Sequence, residues 1–233
     1  MDLLLISNSS NAGEGYLQYC SENIRTFLPP SVDQVLFIPY AAVTFSFNDY
    51  EQKVQDRFAE IGVRVVSIHH TEKPVEAVRA AQAIVVGGGN TWQLARYLHQ
   101  MDLIEPIRDR VMKGTPYVGW SAGSNVACPT IMTTNDMPIT DPMGFQAFDL
   151  IPFQINPHYL DANPDGHAGE TREQRILEFI TVNPDLFVVG LRESTMLEIH
   201  DQQIRLIGSR PIRLFRKGQE PKELHADEDL GFL

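Results

Sequence analysis

The stretch PYVGWSAGSNVA, residues 116–127, places a G-x-S-x-G motif between an apolar run and a series of small residues. The apolar run predicts a buried strand, and the residues after Ser121 are compatible with a helix. A strand that enters a helix through a tight turn holds the central side chain out at the C-terminal edge of a sheet. The flanking residues Gly119 and Gly123 allow the backbone to pass close to its neighbours. The pattern therefore predicts a nucleophile elbow with Ser121 at its tip.

The chain before this stretch alternates short apolar runs with amphipathic segments. The runs predict strands at Leu3–Ser7, Val35–Pro39, Val63–Ile68, Ala83–Val86 and Tyr117–Val118. The amphipathic segments predict helices at Asp49–Ile61, Pro74–Ala81, Thr91–His99 and Leu103–Met112. Strands and helices that alternate in this way favour an α/β fold of three layers, with a mostly parallel central sheet and helices on both faces.

The texture of the sequence changes after about residue 128. Residues 129–167 are rich in Pro, Asp and Asn, which predicts long loops. A helix is predicted at Thr171–Ile180, where Thr171 and Gln174 have the spacing of a capping box. The last part of the chain predicts strands arranged as C-terminal β hairpins, at Leu186–Val189, Met196–His200, Gln203–Ile207 and Ile212–Arg216. Without a repeat or a flexible linker, we interpret residues 1–233 as a single domain.

Composition narrows the class of function. The chain has 233 residues and a net charge of −11, which disfavours nucleic acid as a partner because phosphate binding needs a basic surface. It contains no apolar run of the roughly 20 residues that a membrane helix requires. The two cysteines, Cys20 and Cys128, do not have metal-ligand spacing. We therefore expect a cytoplasmic protein without a metal or a cofactor, either a monomer or a homodimer.

A serine nucleophile requires a base, and the base requires an orienting acid. His158 follows an apolar segment that ends in a proline, so its backbone is stiffened at the end of a predicted strand, and we favour it over His167. Glu193 follows another apolar strand and is the favoured acid, with Asp136 as the alternative. The order Ser, His, acid differs from the nucleophile, acid, His order of α/β-hydrolases, so that scaffold is disfavoured.

A developing oxyanion requires fixed donors. The sequence GGGNT, residues 87–91, lies between a predicted strand and a predicted helix, so its amides are unobstructed and close to a helix N-terminus. We expect one donor from Gly88 or Gly89 and the other from the amide of Ala122. The segment lacks the patterns of dinucleotide-binding and P-loop sequences.

Five separated motifs together resemble the peptidase E family of bacterial α-aspartyl dipeptidases. They are VGGGNT at 86–91, GWSAG at 119–123, TTNDMP at 133–138, QINPH at 154–158 and GETREQR at 169–175. The resemblance implies a flavodoxin-like fold of the class I glutamine-amidotransferase type and a serine peptidase that removes aspartate from the N-terminus of Asp-X dipeptides. It also implies that Ser121 is the nucleophile, His158 the base and Glu193 the third member, and that Asp136 is an important residue.

The resemblance gives Arg172 a predicted role in binding the substrate carboxylate. A guanidinium grips a carboxylate with two hydrogen bonds, and at the start of a helix it would attract the same anion as the helix dipole. Its alternative is a surface arginine paired with Glu170 or Glu173. Asn90 is a weaker candidate for a polar contact to substrate. Two other functions fit the same residues: a cyanophycinase-like hydrolase of an aspartyl polymer, and a non-catalytic domain that binds a small ligand.

Overall fold

The protein is described here from a computed structural model that covers residues 1–163, 166, 168–201 and 203–233. Its strands are β1 (Asp2–Ile6), β2 (Gln34–Ile38), β3 (Arg64–Ser67), β4 (Ile84–Val86), β5 (Tyr117–Trp120), β6 (Gln154–Tyr159), β7 (Val188–Arg192), β8 (Met196–His200), β9 (Gln203–Ile207), β10 (Ile212–Phe215) and β11 (Lys222–Leu224). Its α-helices are α1 (Ser21–Phe27), α2 (Phe47–Glu60), α3 (Pro74–Ala80), α4 (Thr91–Gln100), α5 (Ile104–Met112), α6 (Ala122–Asn125) and α7 (Arg172–Val182).

Seven strands form the central sheet in the order β3-β2-β4-β5-β1-β8-β9. The first five are parallel, whereas β8 pairs antiparallel with β1 and with β9. The predicted mostly parallel sheet is therefore confirmed, and β8 and β9 form one of the expected C-terminal hairpins. The carboxyl ends of parallel strands meet at one edge of a sheet, which brings together the segments that follow β1, β4 and β5.

Helices cover both faces of this sheet, as the continuous apolar runs indicate. In β1, Leu3 and Leu5 belong to one buried cluster, while Leu4 and Ile6 belong to the other. Alternate residues of a strand point to opposite faces, so both faces of β1 are dry. Each fully buried Leu or Ile contributes about 1.5–3 kcal/mol relative to an exposed one. This two-sided burial is what fixes the sheet in the middle layer.

A second sheet of four strands, in the order β11-β10-β7-β6, extends the α/β core. Strands β6 and β7 are parallel, and β10 pairs antiparallel with both β7 and β11. The strand end predicted before His158 is confirmed by β6, which interrupts the loops predicted over residues 129–167. Pro157 is tolerated because β6 is an edge strand of this sheet, where one row of amides needs no partner.

The helix starts follow local rules. Thr171 accepts a hydrogen bond from the Gln174 amide, and the Gln174 side chain accepts one from the Thr171 amide. The predicted capping box is therefore confirmed, although the helix runs on to Val182. Helix α2 begins earlier than predicted because Ser46 and Asp49 form a second capping box.

No α-helix of the described residues is long and apolar enough to cross a membrane.

The two cysteines, Cys20 and Cys128, are free and buried, and burial raises the pKa of each thiol to about 12. Neither thiol is therefore a nucleophile at neutral pH.

Candidate active site

The motif at Ser121 folds as a strained turn between β5 and α6. Ser121 has φ 52° and ψ −112°, a conformation that costs a side-chain-bearing residue about 1–3 kcal/mol. The Ser121 amide donates to the carbonyl of Ile6 over 3.0 Å, which ties the turn to the end of β1. A Cβ on Gly123 would lie 2.1 Å from the carbonyl oxygen of Val86, so glycine is required there. The turn presents the Ser121 side chain at the carboxyl edge of the sheet.

His158 owes its orientation to an irregularity in β6. The register with β7 shifts between Pro157 and Tyr159, so His158 is an extra residue in the ladder. It has φ 52°, a left-handed conformation, and a bulge of this kind re-aims a side chain. The Ser7 hydroxyl accepts a 3.0 Å hydrogen bond from the His158 amide and donates one of 2.7 Å to the Leu191 carbonyl. Ser7, which sequence reasoning missed, therefore closes the gap that the bulge leaves.

The three residues favoured for catalysis come together in space. His158 Nε2 lies 3.0 Å from Ser121 Oγ, and His158 Nδ1 lies 2.8 Å from Glu193 Oε1. With the proton on Nδ1, the imidazole donates to Glu193 and its free Nε2 accepts from the serine hydroxyl. The side chains of His158 and Glu193 are 38% and 47% exposed, so a small substrate has access to them. This arrangement has the geometry needed for general-base activation of an alcohol.

Glu193 is carried by a tight turn between β7 and β8. The Thr195 amide donates to the Arg192 carbonyl over 3.3 Å, which closes the turn. Ser194, at φ 67°, is held by its amide, which donates to Asn8 Oδ1 over 2.9 Å, and by its hydroxyl, which contacts Asn11 Oδ1 at 2.8 Å. The turn joins the two sheets, so the position of Glu193 depends on both of them.

Asp136 has different partners. Its Oδ2 accepts hydrogen bonds from the Thr91 amide at 2.7 Å, from the Thr91 hydroxyl at 2.6 Å and from the Thr134 hydroxyl at 3.1 Å. A carboxylate at the N-terminus of α4 is stabilised by the helix dipole. The structure thus brings Glu193, and not Asp136, into contact with His158.

The glycine loop after β4 lies against Ser121. A Cβ on Gly88 would sit 3.0 Å from Ser121 Cβ, so the main chain passes directly beside the serine. Tyr50 donates its hydroxyl hydrogen to the Gly88 carbonyl over 2.8 Å and fixes that peptide. Within the described residues, the amides of Gly88, Gly89 and Ala122 donate to no protein group. Free amides around the nucleophile are what an oxyanion requires.

The Asn90 side chain forms two hydrogen bonds within the protein. Its Oδ1 accepts from the Gln93 amide at 3.1 Å and caps α4, and its Nδ2 donates to the Met137 carbonyl at 3.0 Å. The side chain therefore holds the segment around Met137 against the start of α4. A contact with substrate would use only its remaining amide hydrogen.

Arg172 begins α7 and makes no ion pair with any described residue. Its two acidic neighbours in the sequence are paired elsewhere, since Glu170 lies 3.7 Å from Arg175 and Glu173 lies 2.8 Å from Arg213. Burial lowers the pKa of the Arg172 guanidinium, and so does Arg175. Arg172 is therefore a half-buried cation whose charge is available to an anion.

Arg172 lines a cavity of about 170 Å³ whose wall also includes residues 133–136 of the TTNDMP motif. Asp136 and Asn156 lie on the same wall. The buried Oδ1 of Asn156 has no hydrogen-bond partner. The cavity is thus lined by the Arg172 guanidinium and by Asn156, whose Oδ1 is an unused hydrogen-bond acceptor.

Among the described residues, the side chains of the other histidines do not contact Ser121 or Glu193. His167 lies outside the residues that the structure describes. Among the described residues, the ligand atoms of Glu51, His69 and His70 lie within 4.8 Å of one another. His70 Nε2 is 2.5 Å from Glu51 Oε2, and the ring nitrogens of His69 contact Ser67 and Asn48. These side chains satisfy one another, and we assign them no part in the chemistry at Ser121.

Comparisons with known proteins are consistent over the whole chain. The model of peptidase family S51 matches residues 3–207. A peptidase E from Nostoc sp. is 53% identical over 231 residues, which are 99% of this chain and 96% of the relative. A peptidase E from Salmonella typhimurium is 46% identical over 226 residues, which are 97% of this chain and 98% of the relative.

The fold also has a relative among solved structures. A peptidase from an acI-B1 Actinobacterium superposes with a TM-score of 0.70, and the superposition covers 98% of this chain and 96% of the other chain. The two sequences are only 19% identical, so this likeness concerns the fold.

Proposed function

Because this chain belongs to peptidase family S51, we propose that it hydrolyses Asp-X dipeptides through an acyl-enzyme on Ser121. Membership of the family makes the protein a peptidase, so the resemblance drawn from the five motifs is confirmed. We propose, in addition, which residues catalyse the reaction and that the substrate carries an N-terminal aspartate. The observation that carries it is the continuous chain of contacts from Ser121 through His158 to Glu193, at 3.0 and 2.8 Å.

In the proposed mechanism, His158 Nε2 takes the hydroxyl proton as Ser121 Oγ attacks the carbonyl carbon of the aspartyl residue. Glu193 holds the Nδ1–H tautomer and stabilises the imidazolium. The amides of Ala122 and of Gly88 or Gly89 donate to the oxyanion. The imidazolium then gives its proton to the leaving amine, and the peptide bond breaks. Water, activated by His158, hydrolyses the aspartyl ester and restores Ser121.

Arg172 supports the choice of substrate. In a protein with a net charge of −11, an anionic side chain is held only by a local cation. Arg172 is half-buried, lines a cavity and forms no ion pair with a described residue, while the Asp136 carboxylate lines the same cavity and acts on its charge. We propose that its guanidinium binds the β-carboxylate of the N-terminal aspartate. Asn90 is assigned a supporting role only, through its remaining amide hydrogen.

The test is a dipeptide panel that varies only the first residue: Asp-Leu, Asn-Leu, Glu-Leu and Ala-Leu. We expect kcat/KM to be highest for Asp-Leu and Ser121→Ala to reduce it by several orders of magnitude with an unchanged melting curve. Full activity of Ser121→Ala would refute the mechanism. Equal rates on Asp-Leu and Asn-Leu would refute the specificity.

The same assay separates the two alternatives. A cyanophycinase-like enzyme would release products from a β-linked aspartyl polymer faster than from Asp-Leu. A binding domain would cleave neither substrate, and Ser121 would not be labelled by a fluorophosphonate. We further propose the cytoplasm as the site of action, a compartment in which the two free cysteines stay reduced.

A further inference from the structure

We infer that Arg192 is a positioning residue that fixes Glu193, the acid of the proposed catalytic group. The inference rests on the proposed function, because it assigns Arg192 a part in the same site. Arg192 is the last residue of β7 and stands directly before Glu193. It is only 5% exposed, which is rare for an arginine and requires that its donors be paired.

All five donor hydrogens of the guanidinium have an acceptor. Nε and Nη2 bind the two carboxylate oxygens of Asp161, with Nε at 3.0 Å. Nη1 and Nη2 bind the two oxygens of Glu223 at 2.7 and 2.9 Å. Nη1 also donates to the carbonyl of Pro211 at 2.6 Å. A planar fork that is saturated in this way has one permitted orientation.

The partners come from the elements that carry the site. Asp161 lies three residues after His158, just beyond the end of β6. Glu223 lies in β11, the last strand of the second sheet. The main-chain carbonyl of Arg192 closes the turn of Glu193 by accepting from the Thr195 amide. One residue therefore ties the strand end of His158, the turn of Glu193 and the C-terminal hairpin together.

The network extends to the helix of Arg172. Glu223 Oε1 accepts from Arg213 at 2.7 Å, and Arg213 lies 2.8 Å from Glu173 in the first turn of α7. Arg172 is the residue before Glu173. The chain of ion pairs thus runs from the turn of the proposed acid to the helix end of the proposed substrate-binding cation.

Stability alone is a poor account of this arrangement. Buried ion pairs lose much of their attraction to desolvation, and apolar residues of similar volume often serve equally well. What the pairs supply is a fixed orientation, and a displacement of about 1 Å at a catalytic group costs roughly a hundredfold in rate. The physical prediction is that Arg192 acts on turnover through Glu193.

The experiment combines substitutions at the two residues. Arg192→Met is expected to lower kcat on Asp-Leu about 10- to 100-fold, with KM changed by less than about twofold. In the Glu193→Gln background, where the acid no longer acts, Arg192→Met is expected to lower kcat by less than about twofold. Arg192→Lys keeps the charge without the fork and is expected to be intermediate.

The matched control is Arg205→Met. Arg205 is also a strand arginine paired with a glutamate, Glu198, but its side chain is 68% exposed and belongs to β9. Its loss is expected to change kcat by less than about twofold. Melting curves accompany every variant, and Glu223→Gln provides a milder break of the same network if Arg192→Met does not fold.

An equal loss of kcat from Arg192→Met in the wild-type and Glu193→Gln backgrounds would overturn the inference, and so would the absence of a loss. If wild-type protein cleaves no dipeptide but Ser121 is labelled by a fluorophosphonate, the proposed substrate is wrong, and the labelling rate takes the place of kcat in the same cycle. If wild-type protein is neither active nor labelled, the proposed function and the positioning role fail together.

Discussion

The amide of His158 donates a 3.0 Å hydrogen bond to the hydroxyl of Ser7, a residue 151 positions earlier in the chain. Ser7 is fully buried at the end of β1, and its own hydrogen goes to Leu191 on β7. A bulge in a parallel ladder leaves one amide and one carbonyl without partners, and the Ser7 hydroxyl satisfies both. The proposed base is thus held by a side chain from the other sheet.

Ser7→Ala should lower both stability and turnover. Two buried polar groups would lose their partner, which costs about 1–3 kcal/mol of unfolding free energy. The bulge would also lose its anchor, so we expect kcat on Asp-Leu to fall about tenfold or more. Urea titration and steady-state kinetics measure the two effects. Ser10→Ala, at an exposed position of the same segment, should change neither, and a Ser7→Ala protein with unaltered kcat would contradict the anchoring role.

Substitutions of Ser121 should expose the strain of the elbow. Alanine keeps the Cβ that is strained at φ 52°, whereas glycine removes both the hydroxyl and the strain. Against the greater backbone entropy of glycine in the unfolded chain, we expect Ser121→Gly to be more stable than Ser121→Ala by about 1 kcal/mol. Thermal melting of the pair measures this difference. A less stable glycine variant would show that the elbow stores no strain.

Removal of the Arg172 guanidinium should reduce discrimination and leave the fold intact. We expect Arg172→Met to lower kcat/KM for Asp-Leu about 100-fold, which corresponds to the loss of about 3 kcal/mol from a charged hydrogen-bonded pair, and to affect Asn-Leu far less. Arg25→Met is the matched control, because Arg25 is an exposed helical arginine of α1 that is paired with Glu22 and does not line this cavity. An unchanged ratio of Asp-Leu to Asn-Leu in Arg172→Met would remove Arg172 from the specificity pocket.

Substitutions of Glu193 and of Asp136, the two acids that the sequence left as alternatives, should affect kcat and melting temperature differently. Glu193→Gln should lower kcat by about three to four orders of magnitude with little change in melting temperature, since Glu193 is half-exposed and its main partner is His158. Asp136→Ala should lower the melting temperature as well, because the Thr91 amide and hydroxyl at the start of α4 would lose their acceptor. Kinetics and melting curves of both variants decide the matter. The reverse pattern would make Asp136 the orienting acid.

Acid should weaken the network around Arg192. Hydrogen bonds from Arg192 hold the pKa of Glu223 and the pKa of Asp161 below their ordinary values. A carboxyl with a lower pKa in the folded state contributes stability above its unfolded-state pKa, about 4 for both groups, and loses it as the pH falls through the folded-state value. The melting temperatures of wild type and Glu223→Gln should therefore differ most above pH 5 and converge towards pH 3. Glu220→Gln, at an exposed position, is the control, and a constant gap between wild type and Glu223→Gln would contradict the linkage.

Sequence patterns identified the parts of the molecule that follow local rules. The apolar runs located the parallel strands because both faces of each are buried, and Thr171 with Gln174 located the start of α7 through capping. The patterns missed α1, a short helix without a side-chain cap, and located only the end of β6 before His158. Both depend on partners that are distant in sequence.

The sequence by itself determined the elbow, the family and the residue types of the candidate site, because a strained turn and its glycines are written into consecutive positions. Only the tertiary structure decided that Glu193 faces His158, that Asp136 faces Thr91, and that Arg192 is saturated by Asp161 and Glu223. The physical reason is that these contacts join strand ends, turns and a helix start that lie far apart in the sequence. Such contacts depend on strand register, on the bulge at His158 and on the turn between β7 and β8. The local periodicity of the sequence does not predict them.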